Sequence, residues 1–280
     1  MPEGDTIWRA ARTLDAALCG RVVTAFSSTI PAVSALVLRL GIVGRRVERV
    51  EARGKHLLVR FEGGAALHTH QGMRGTWRLR RALPDRAPRG ASRWAKARAR
   101  IDTAEVTAAC FGAPVVELLP PRLAREHPAL ARLGPDVLAA DFDAAAARER
   151  LRARTDAEIG AALLDQTALA GIGNVYKCET LFLCAMPPRV RVRELDDAAL
   201  DRLIDTARRL MLRNLGPGPR RTTSPLAPGV AWVYRRSGAP CRRCGAPVAR
   251  LVQGEPPRST YYCPRCQSTR TPEATPRPAR

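Results

Sequence analysis

Two residues near the start of the chain, Pro2 and Glu3, have types that could carry out covalent chemistry. If Met1 is removed, Pro2 becomes a free secondary amine with a carboxylate beside it. Such an amine can attack a sugar carbon and form an iminium, and amines that form Schiff bases are recognised covalent nucleophiles. Because proline fills about 5% of positions in any protein, a proline at position 2 is also common by accident. Other features of the chain must therefore show whether Pro2 is catalytic or accidental.

Four cysteines form the second chemical pattern. Cys241-x2-Cys244 is followed after eighteen residues by Cys263-x2-Cys266. Two close pairs bring four thiolates together at small entropic cost and are typical of tetrahedral zinc. No coordination position is left open, so we expect one structural Zn²⁺ and no catalysis by it.

The residues around these cysteines predict a zinc-stapled β-hairpin. Residues 232–234 and 259–262 are rich in aromatic and β-branched side chains, which favour strands. Arg258 falls near the inner turn of the hairpin. It either projects toward a ligand or is an ordinary solvated arginine.

The segment Gly171-Ile172-Gly173-Asn174 opens a predicted helix. Glycines let a backbone approach a ligand closely, and the N–H groups of a helix N-terminus bind anions. A phosphate would therefore fit here. Asn174 could instead serve only as the helix N-cap.

Two turns in the first half carry further candidates. Lys55 lies in Arg53-Gly54-Lys55-His56 between two predicted strands, where it could meet a phosphate or simply be solvated. His68 and His70 end a strand and could bind a metal ion. Met73 follows in a glycine-flanked turn, where it is either a core residue or a wedge between bases.

The composition indicates a polyanion partner. Lysine and arginine exceed aspartate and glutamate by 47 − 26 = 21. Nucleic acid is favoured over a merely soluble basic protein, because basic residues recur along most of the chain. Only three of the basic residues are lysines, Lys55, Lys96 and Lys177, and such positions can need an ammonium rather than a guanidinium.

The sequence favours a cytoplasmic location. The acidic residues Glu3 and Asp5 do not fit the pattern of a signal peptide, so none is expected, and no run of 18 apolar residues suggests a membrane span. The four cysteines outside the zinc pattern are scattered singly in apolar surroundings, which indicates buried thiols in a reducing compartment.

Hydrophobic periodicity supplies the elements that must position these residues. A helix is predicted over 5–19, capped by Asp5, so Pro2 and Glu3 would precede its N-terminus. Short strands are predicted at 22–28, 45–51, 56–61, 66–70, 76–80, 94–101, 105–111 and 115–119, and they suggest an antiparallel sandwich or barrel. Residues 121–135 are predicted to be a linker. Helices follow at 142–153, 156–165, 174–184 and 196–214, and residues 268–280 are predicted to be a disordered tail.

These pieces, in this order, resemble the formamidopyrimidine-DNA glycosylase and endonuclease VIII family of base-excision-repair enzymes. The resemblance runs from Pro2 to Gln267. It rests on the start Met1-Pro2-Glu3-Gly4, on 53–55, on His70-x-Gly72-Met73, on 169–176, and on the finger ending at 262–267.

The resemblance implies a multi-domain α+β fold. Its parts would be a β-sandwich domain with a leading helix (1–120), the linker (121–135), a helix-two-turns-helix domain (136–219), a loop (220–231) and a zinc finger (232–267). Pro2 would be the nucleophile at C1′ of the damaged nucleotide and Glu3 the acid/base. Lys55 would belong to the catalytic residues and would contact a phosphate beside the lesion. His70, Asn174 and Arg258 would contact the other flanking phosphates. Met73 would fill the hole left by the flipped base.

The implied activity is a DNA glycosylase with AP lyase activity, acting as a monomer on double-stranded DNA with damaged bases or abasic sites, in association with a bacterial nucleoid. The start at Gly4-Asp5-Thr6 resembles the endonuclease VIII branch. The purine branch carries an arginine that reads the opposite cytosine, and residues 109–112 contain none. We therefore expect oxidised pyrimidines as substrates. The alternatives are a formamidopyrimidine or 8-oxoguanine enzyme of the same family and a non-catalytic zinc-finger DNA-binding protein. Thr6 stands where both branches commonly carry an acid.

Overall fold

The computed structural model describes residues 2–82, 94–224, 227 and 229–268. The chain divides into two compact units, Met1–Phe142 and Asp143–Arg280. Apart from Ser268, the predicted disordered tail lies outside the described residues. Among the residues that are described, no helix is long and apolar enough to cross a bilayer.

The first unit is built on two four-stranded antiparallel sheets. One sheet has the order β1-β6-β7-β5 and the other β2-β3-β4-β8. The strands are β1 (Ala25–Ser27), β2 (Val47–Arg53), β3 (His56–Phe61), β4 (Ala66–His70), β5 (Thr76–Arg81), β6 (Ala99–Asp102), β7 (Val106–Phe111) and β8 (Val115–Leu119). Leu57, Val59 and Leu67 from one sheet share a core with Ile101 and Ala108 from the other. The predicted β-sandwich is confirmed.

Two helices complete this core. Helix α1 (Gly4–Leu18) buries the stripe Ile7, Ala11, Leu14 and Leu18, as its period predicts. Its N-cap is Glu3, so the prediction that Asp5 caps it is wrong. Helix α2 (Pro31–Leu40) was not predicted, although it has proline at N1 and the left-handed Gly41 after its end.

The segment expected to be a linker contains two short helices, α3 (Pro121–Glu126) and α4 (Pro128–Ala131). They cover the face of the β2-β3-β4-β8 sheet that points away from the main core. Ala124 and Leu130 pack there against Leu58, Ala66 and Leu119. This face is therefore a second, smaller core.

The predicted strand over 94–101 is wrong at its start. The strand β6 begins only at Ala99, and residues 94–98 are outside any strand. The Trp94 ring instead contacts the Phe111 ring edge-on, with the Arg80 guanidinium 4.2 Å from its centroid. Trp94 thus packs beside the end of β7 without belonging to a strand.

The second unit is helical and ends in a hairpin. Its helices are α5 (Ala144–Arg152), α6 (Ile159–Ala162), α7 (Asn174–Leu183) and α8 (Asp197–Leu212), with a 3₁₀ turn at Val192–Glu194. The hairpin pairs β9 (Ala249–Gln253) with β10 (Arg258–Tyr262). Helix α7 is buried along nearly its whole length and contacts both α8 and β10.

Candidate active site and nucleic-acid contacts

The N-terminal pair lies at the start of helix α1. The Glu3 side chain is fully buried, and the Glu3 carbonyl accepts from the Thr6 and Ile7 amides at 2.9 and 3.0 Å. Pro2 is partly buried beside it. The next acid, Asp5, is fully buried too and lies 4.0 Å from Arg9.

Lys55 lies in the tight turn between β2 and β3. The preceding residue, Gly54, is buried with a φ of 58°, a left-handed conformation that favours glycine. The Gly54 amide donates to the Asp136 carboxylate at 2.7 Å. A cavity of about 570 Å³ is lined by Gly54 and also by Gly4, the residue after Glu3. The first residue of α1 and the residue before Lys55 thus line the same cavity.

His70 belongs to a chain of imidazoles. The rings of His70 and His56 lie 4.9 Å apart, and His56 Nδ1 is 2.8 Å from His68 Nε2. His68 Nδ1 is 3.1 Å from a Glu117 carboxylate oxygen, and the same oxygen lies 3.3 Å from His127 Nε2. We call His56, His68, Glu117 and His127 the histidine relay. It contains three of the four histidines of the chain.

Burial favours the neutral imidazoles of His56, His68 and His70. Desolvation, followed by the nearby histidines and Lys55, lowers the pKa of His56 to about 3. Desolvation also lowers the pKa of His68, opposed by its hydrogen bond to Glu117, and lowers the pKa of His70. With neutral rings, His68 donates from Nδ1 to Glu117 and accepts at Nε2 from His56. The Glu117 carboxylate therefore accepts hydrogen bonds from both sides of the relay, from His68 Nδ1 and from His127 Nε2.

Met73 is the exposed tip of the turn between β4 and β5. Its side chain is 60% exposed. The turn is tight, because a Cβ on Gly72 would lie 2.7 Å from Pro114 and one on Gly75 would lie 2.4 Å from the Gln71 carbonyl oxygen. A large apolar side chain is thus presented to solvent by a well-defined turn.

Asn174 is the first residue of α7, and the N-cap is Gly173, so the reading of Asn174 as an N-cap is wrong. Its amide nitrogen donates to the Ser259 carbonyl at 2.7 Å. Ser259 follows Arg258, whose side chain is exposed at the start of β10. The structure thus ties Asn174 to the strand that carries Arg258.

Lys177, one turn further along α7, strengthens this connection. It is fully buried and donates to Thr260 Oγ1 at 2.6 Å. Thr260 donates to Gln253 Oε1 at 2.7 Å, and Gln253 donates to Glu158 at 2.8 Å. We call Lys177, Thr260 and Gln253 the lysine network.

The four zinc-pattern cysteines lie close together, with ligand atoms all within 4.8 Å of one another. The Sγ–Sγ distances are 3.9 Å for Cys241–Cys266 and 3.5 Å for Cys244–Cys263. A tetrahedron with Zn–S bonds of about 2.3 Å has edges of about 3.8 Å. The amides of Arg243 and Cys266 point at sulfur atoms at 3.4 Å, as suits thiolate acceptors. The residues fit one structural Zn²⁺.

The predicted strand at 232–234 is absent, and Glu179 explains why. This buried carboxylate accepts from the amides of Trp232, Val233 and Tyr234 at 2.7, 2.9 and 2.8 Å. It also accepts from the Thr222 hydroxyl. Amides that donate to a carboxylate are not available for a strand ladder, so the hairpin partner of β10 is β9.

Sequence reasoning missed five residues that support the candidates: Glu117, His127, Asp136, Glu179 and the role of Lys177. Only the last left a signal, since lysine is rare in this chain. The others act through contacts between residues distant in sequence, which no local pattern predicts.

Comparison with known proteins decides the family. Residues 1–112 match the formamidopyrimidine-DNA glycosylase N-terminal domain, residues 133–224 its H2TH domain, and residues 238–269 the zinc finger found in this family and in isoleucyl-tRNA synthetase. "Probable endonuclease 8 2" of Streptomyces coelicolor is 42% identical over 96% of this chain and 94% of that protein. The chain belongs to the formamidopyrimidine-DNA glycosylase and endonuclease VIII family. Members of this family are base-excision-repair glycosylases and AP lyases.

Two further similarities agree with this assignment. "DNA-(apurinic or apyrimidinic site) lyase Nei2" of Mycolicibacterium smegmatis is 36% identical over 96% of this chain and 99% of that protein. Lactococcus lactis formamidopyrimidine-DNA glycosylase, solved with DNA containing an AP site, aligns with a TM-score of 0.76 at 24% identity, over 96% of this chain and all of that chain. The family fold of β-sandwich, H2TH helices and zinc finger is therefore confirmed.

Proposed function

We propose that this glycosylase/lyase removes oxidised pyrimidines from double-stranded DNA and nicks the strand, with Pro2 as the nucleophile. The observation that carries the proposal is the placement of Pro2 beside the fully buried Glu3 at the start of α1. Gly4, the residue after Glu3, lines the same cavity as Gly54, the residue before Lys55. A secondary amine and a carboxyl group are thus adjacent at one helix end, as the proposed Schiff-base chemistry requires.

The reaction follows from the chemistry of a secondary amine. The Pro2 nitrogen bonds to C1′ while the base leaves with the electrons of the glycosidic bond and takes up a proton. Glu3 donates a proton to the sugar oxygen as the ring opens to an iminium. The iminium withdraws electrons, so the 2′ proton is lost and the C3′–O bond breaks, with the 5′-phosphate end of the downstream strand as the leaving group. Water then hydrolyses the iminium and frees Pro2.

The phosphate contacts would hold the extruded nucleotide. Taking a base out of the stack costs a few kcal/mol. Lys55, His70, Asn174 and Arg258 would offset that cost by gripping the flanking phosphates, and the exposed Met73 would fill the gap in the stack. The zinc holds the hairpin that carries Arg258 and takes no part in the chemistry.

The pyrimidine preference rests on β7. Ala109 and Cys110 are fully buried in the sheet, and no arginine stands there to read an opposite cytosine. The relatives named endonuclease 8 support the same branch. We further propose that the protein acts as a monomer in the bacterial cytoplasm, associated with the nucleoid.

Borohydride trapping tests the nucleophile. The wild-type protein should become covalently attached to DNA containing an abasic site, since borohydride reduces the iminium. Pro2→Gly should abolish the trapped species. Glu3→Gln should lose base excision yet keep much of the binding. Full trapping together with normal nicking by Pro2→Gly would rule out the mechanism.

Two comparisons separate the alternatives. A lesion panel of thymine glycol, dihydrouracil, 8-oxoguanine and an abasic site should give fastest base release from the pyrimidine lesions. Preference for 8-oxoguanine would favour the purine-type enzyme. Salt-sensitive binding without any trapping would favour the non-catalytic DNA-binding protein.

Arg258 offers a separate test of the phosphate grip. Arg258→Ala should weaken binding and reduce the slope of log affinity against log salt concentration by about one. Arg250→Ala, an exposed arginine on the paired strand, serves as the matched control. An unchanged slope in Arg258→Ala would remove the phosphate contact from the proposal.

A further inference from the structure

The residues on either side of Lys55 are both connected by hydrogen bonds to the segment 121–136. Gly54, before it, donates its amide to Asp136 at 2.7 Å. His56, after it, begins the histidine relay, which ends at His127. Asp136 and His127 both belong to the segment 121–136 that follows β8. Two separate sets of contacts thus converge on one turn.

The Asp136 contact fixes the backbone before Lys55. Its other carboxylate oxygen accepts from the Leu138 amide at 3.0 Å, so the acceptor is itself held in place. The Gly54 amide is buried, and a buried donor without a partner costs free energy. The turn therefore has one favoured orientation.

The histidine relay fixes the backbone after Lys55. Its three links are 2.8, 3.1 and 3.3 Å long, and they connect β3, β4, β8 and the junction of α3 with α4. His68 and His127 have side chains only 2% and 13% exposed. Leu130 and Ala124 anchor the same junction in the small core over the sheet. The far end of the relay is thus rigidly held.

We propose that the segment 121–136 positions Lys55 for its phosphate contact, with His127 and Asp136 as the positioning residues. The inference rests on the proposed role of Lys55. A lysine side chain loses much conformational freedom when it binds, and a turn that is already ordered reduces the remaining cost of binding. Without the Asp136 contact and the histidine relay, Lys55 keeps its charge, but the backbone around it is no longer held in one orientation.

A double-mutant cycle tests this. The readout is binding to duplex DNA with a non-cleavable tetrahydrofuran abasic analogue. In the wild type, Lys55→Ala should weaken binding roughly 10-fold, as expected for one phosphate contact. In the background His127→Ala/Asp136→Ala, the same change should cost less than about 3-fold. When His127→Gln takes the place of His127→Ala in this background, an N–H donor near Glu117 is kept. Most of the effect of Lys55→Ala on binding should then return.

The controls distinguish the positioning role of the segment 121–136 from the phosphate contact of Lys55. Glu126→Ala removes an exposed pair with Arg122 in α3 and should leave the Lys55 effect at its wild-type value. An equal Lys55 effect in both backgrounds would overturn the positioning role while leaving the Lys55 contact intact. No Lys55 effect in the wild type would overturn both.

A second measurement applies if the double variant does not fold. Asp136→Asn retains one acceptor, and hydrogen exchange of the Gly54 and His56 amides should then speed up relative to the amides of β7. Unchanged exchange at both amides would also count against the positioning role.

Discussion

Lys55 and Arg258 are both proposed phosphate contacts at hairpin turns, yet the hairpins are supported in different ways. The Lys55 turn joins two strands of a four-stranded sheet within the larger core. The Arg258 turn joins the two strands of an isolated pair. A two-stranded hairpin is marginally stable by itself.

The difference shows what each hairpin needs from its surroundings. The Lys55 turn has a sheet beneath it and needs only local fastening by Asp136 and the histidine relay. The Arg258 hairpin depends on the four cysteines, on the lysine network and on the Asn174 contact. We therefore expect the first to be sensitive to pH and the second to be sensitive to zinc and to single buried polar residues.

Removal of zinc should have the largest effect. Binding of a structural zinc supplies on the order of 10 kcal/mol of folding free energy. Cys263→Ser should therefore lose the metal, and affinity for abasic-site DNA should fall by roughly 100-fold or more. Metal analysis and hydrogen exchange check this. Amides of β9 and β10 should lose protection while those of β3 keep theirs; parallel loss in both hairpins would break the comparison.

Glu179→Ala should come next. It leaves three backbone amides around residues 232–234 without their acceptor, which should cost about 3–5 kcal/mol of stability. Urea unfolding measures the loss. Glu149→Ala, on the exposed face of α5, is the matched control and should change stability by less than about 0.5 kcal/mol. Equal losses in the two variants would show that Glu179 does not hold this segment.

Lys177→Met should have a smaller and more local effect. Thr260 keeps its bond to Gln253 in this variant, so we expect a loss of about 1–3 kcal/mol together with faster exchange in β10. Weaker DNA binding with a reduced contribution from Arg258 should accompany it. Lys96→Met, at an exposed site, should change none of these. Wild-type exchange rates in β10 would remove Lys177 from the support of the hairpin.

Acidification should produce the smallest change in stability, and this change should be confined to the Lys55 turn and the histidine relay beside it. The pKa of His56 is about 3 in the folded chain against an ordinary value of 6.5. The neutral form is thus favoured by folding. Its contribution is complete above pH 6.5 and is lost as the pH falls from about 6.5 toward 3. Between pH 7.5 and 5.5, His56→Gln should flatten the dependence of stability on pH. Identical pH profiles would contradict this, provided that metal analysis shows the zinc retained.

The candidate catalytic residues and the zinc ligands are easier to identify from the sequence than the residues that hold them in place. The zinc ligands depend on spacing within short segments, and the helices α1, α7 and α8 have strong periodicity or clear starts. The strands at 56–61, 66–70 and 115–119 were placed correctly because their apolar runs are bounded by turns. These features depend on residues that are close together in the sequence, so sequence patterns predict them.

The failures have a common physical origin. Residues 232–234 have strand-forming side chains, but a carboxylate 53 to 55 positions away takes their amides. The alternation at 94–101 predicted a strand, but Trp94 packs instead with its ring against Phe111, seventeen residues later. Helices α3 and α4 are too short to show a period, and only their fit to the sheet makes them stable. Long-range contacts overrode local preference in each case.

The burial of Lys177 makes the chain unusually suited to chemical footprinting. Amine-reactive reagents modify accessible side-chain amines, and this chain has only three lysines. Lys177 is shielded by the fold, Lys96 is exposed, and Lys55 is partly exposed. With Lys55 at a phosphate as proposed, its acylation rate would report DNA occupancy, with Lys96 as the internal reference and Lys177 as an indicator of unfolding.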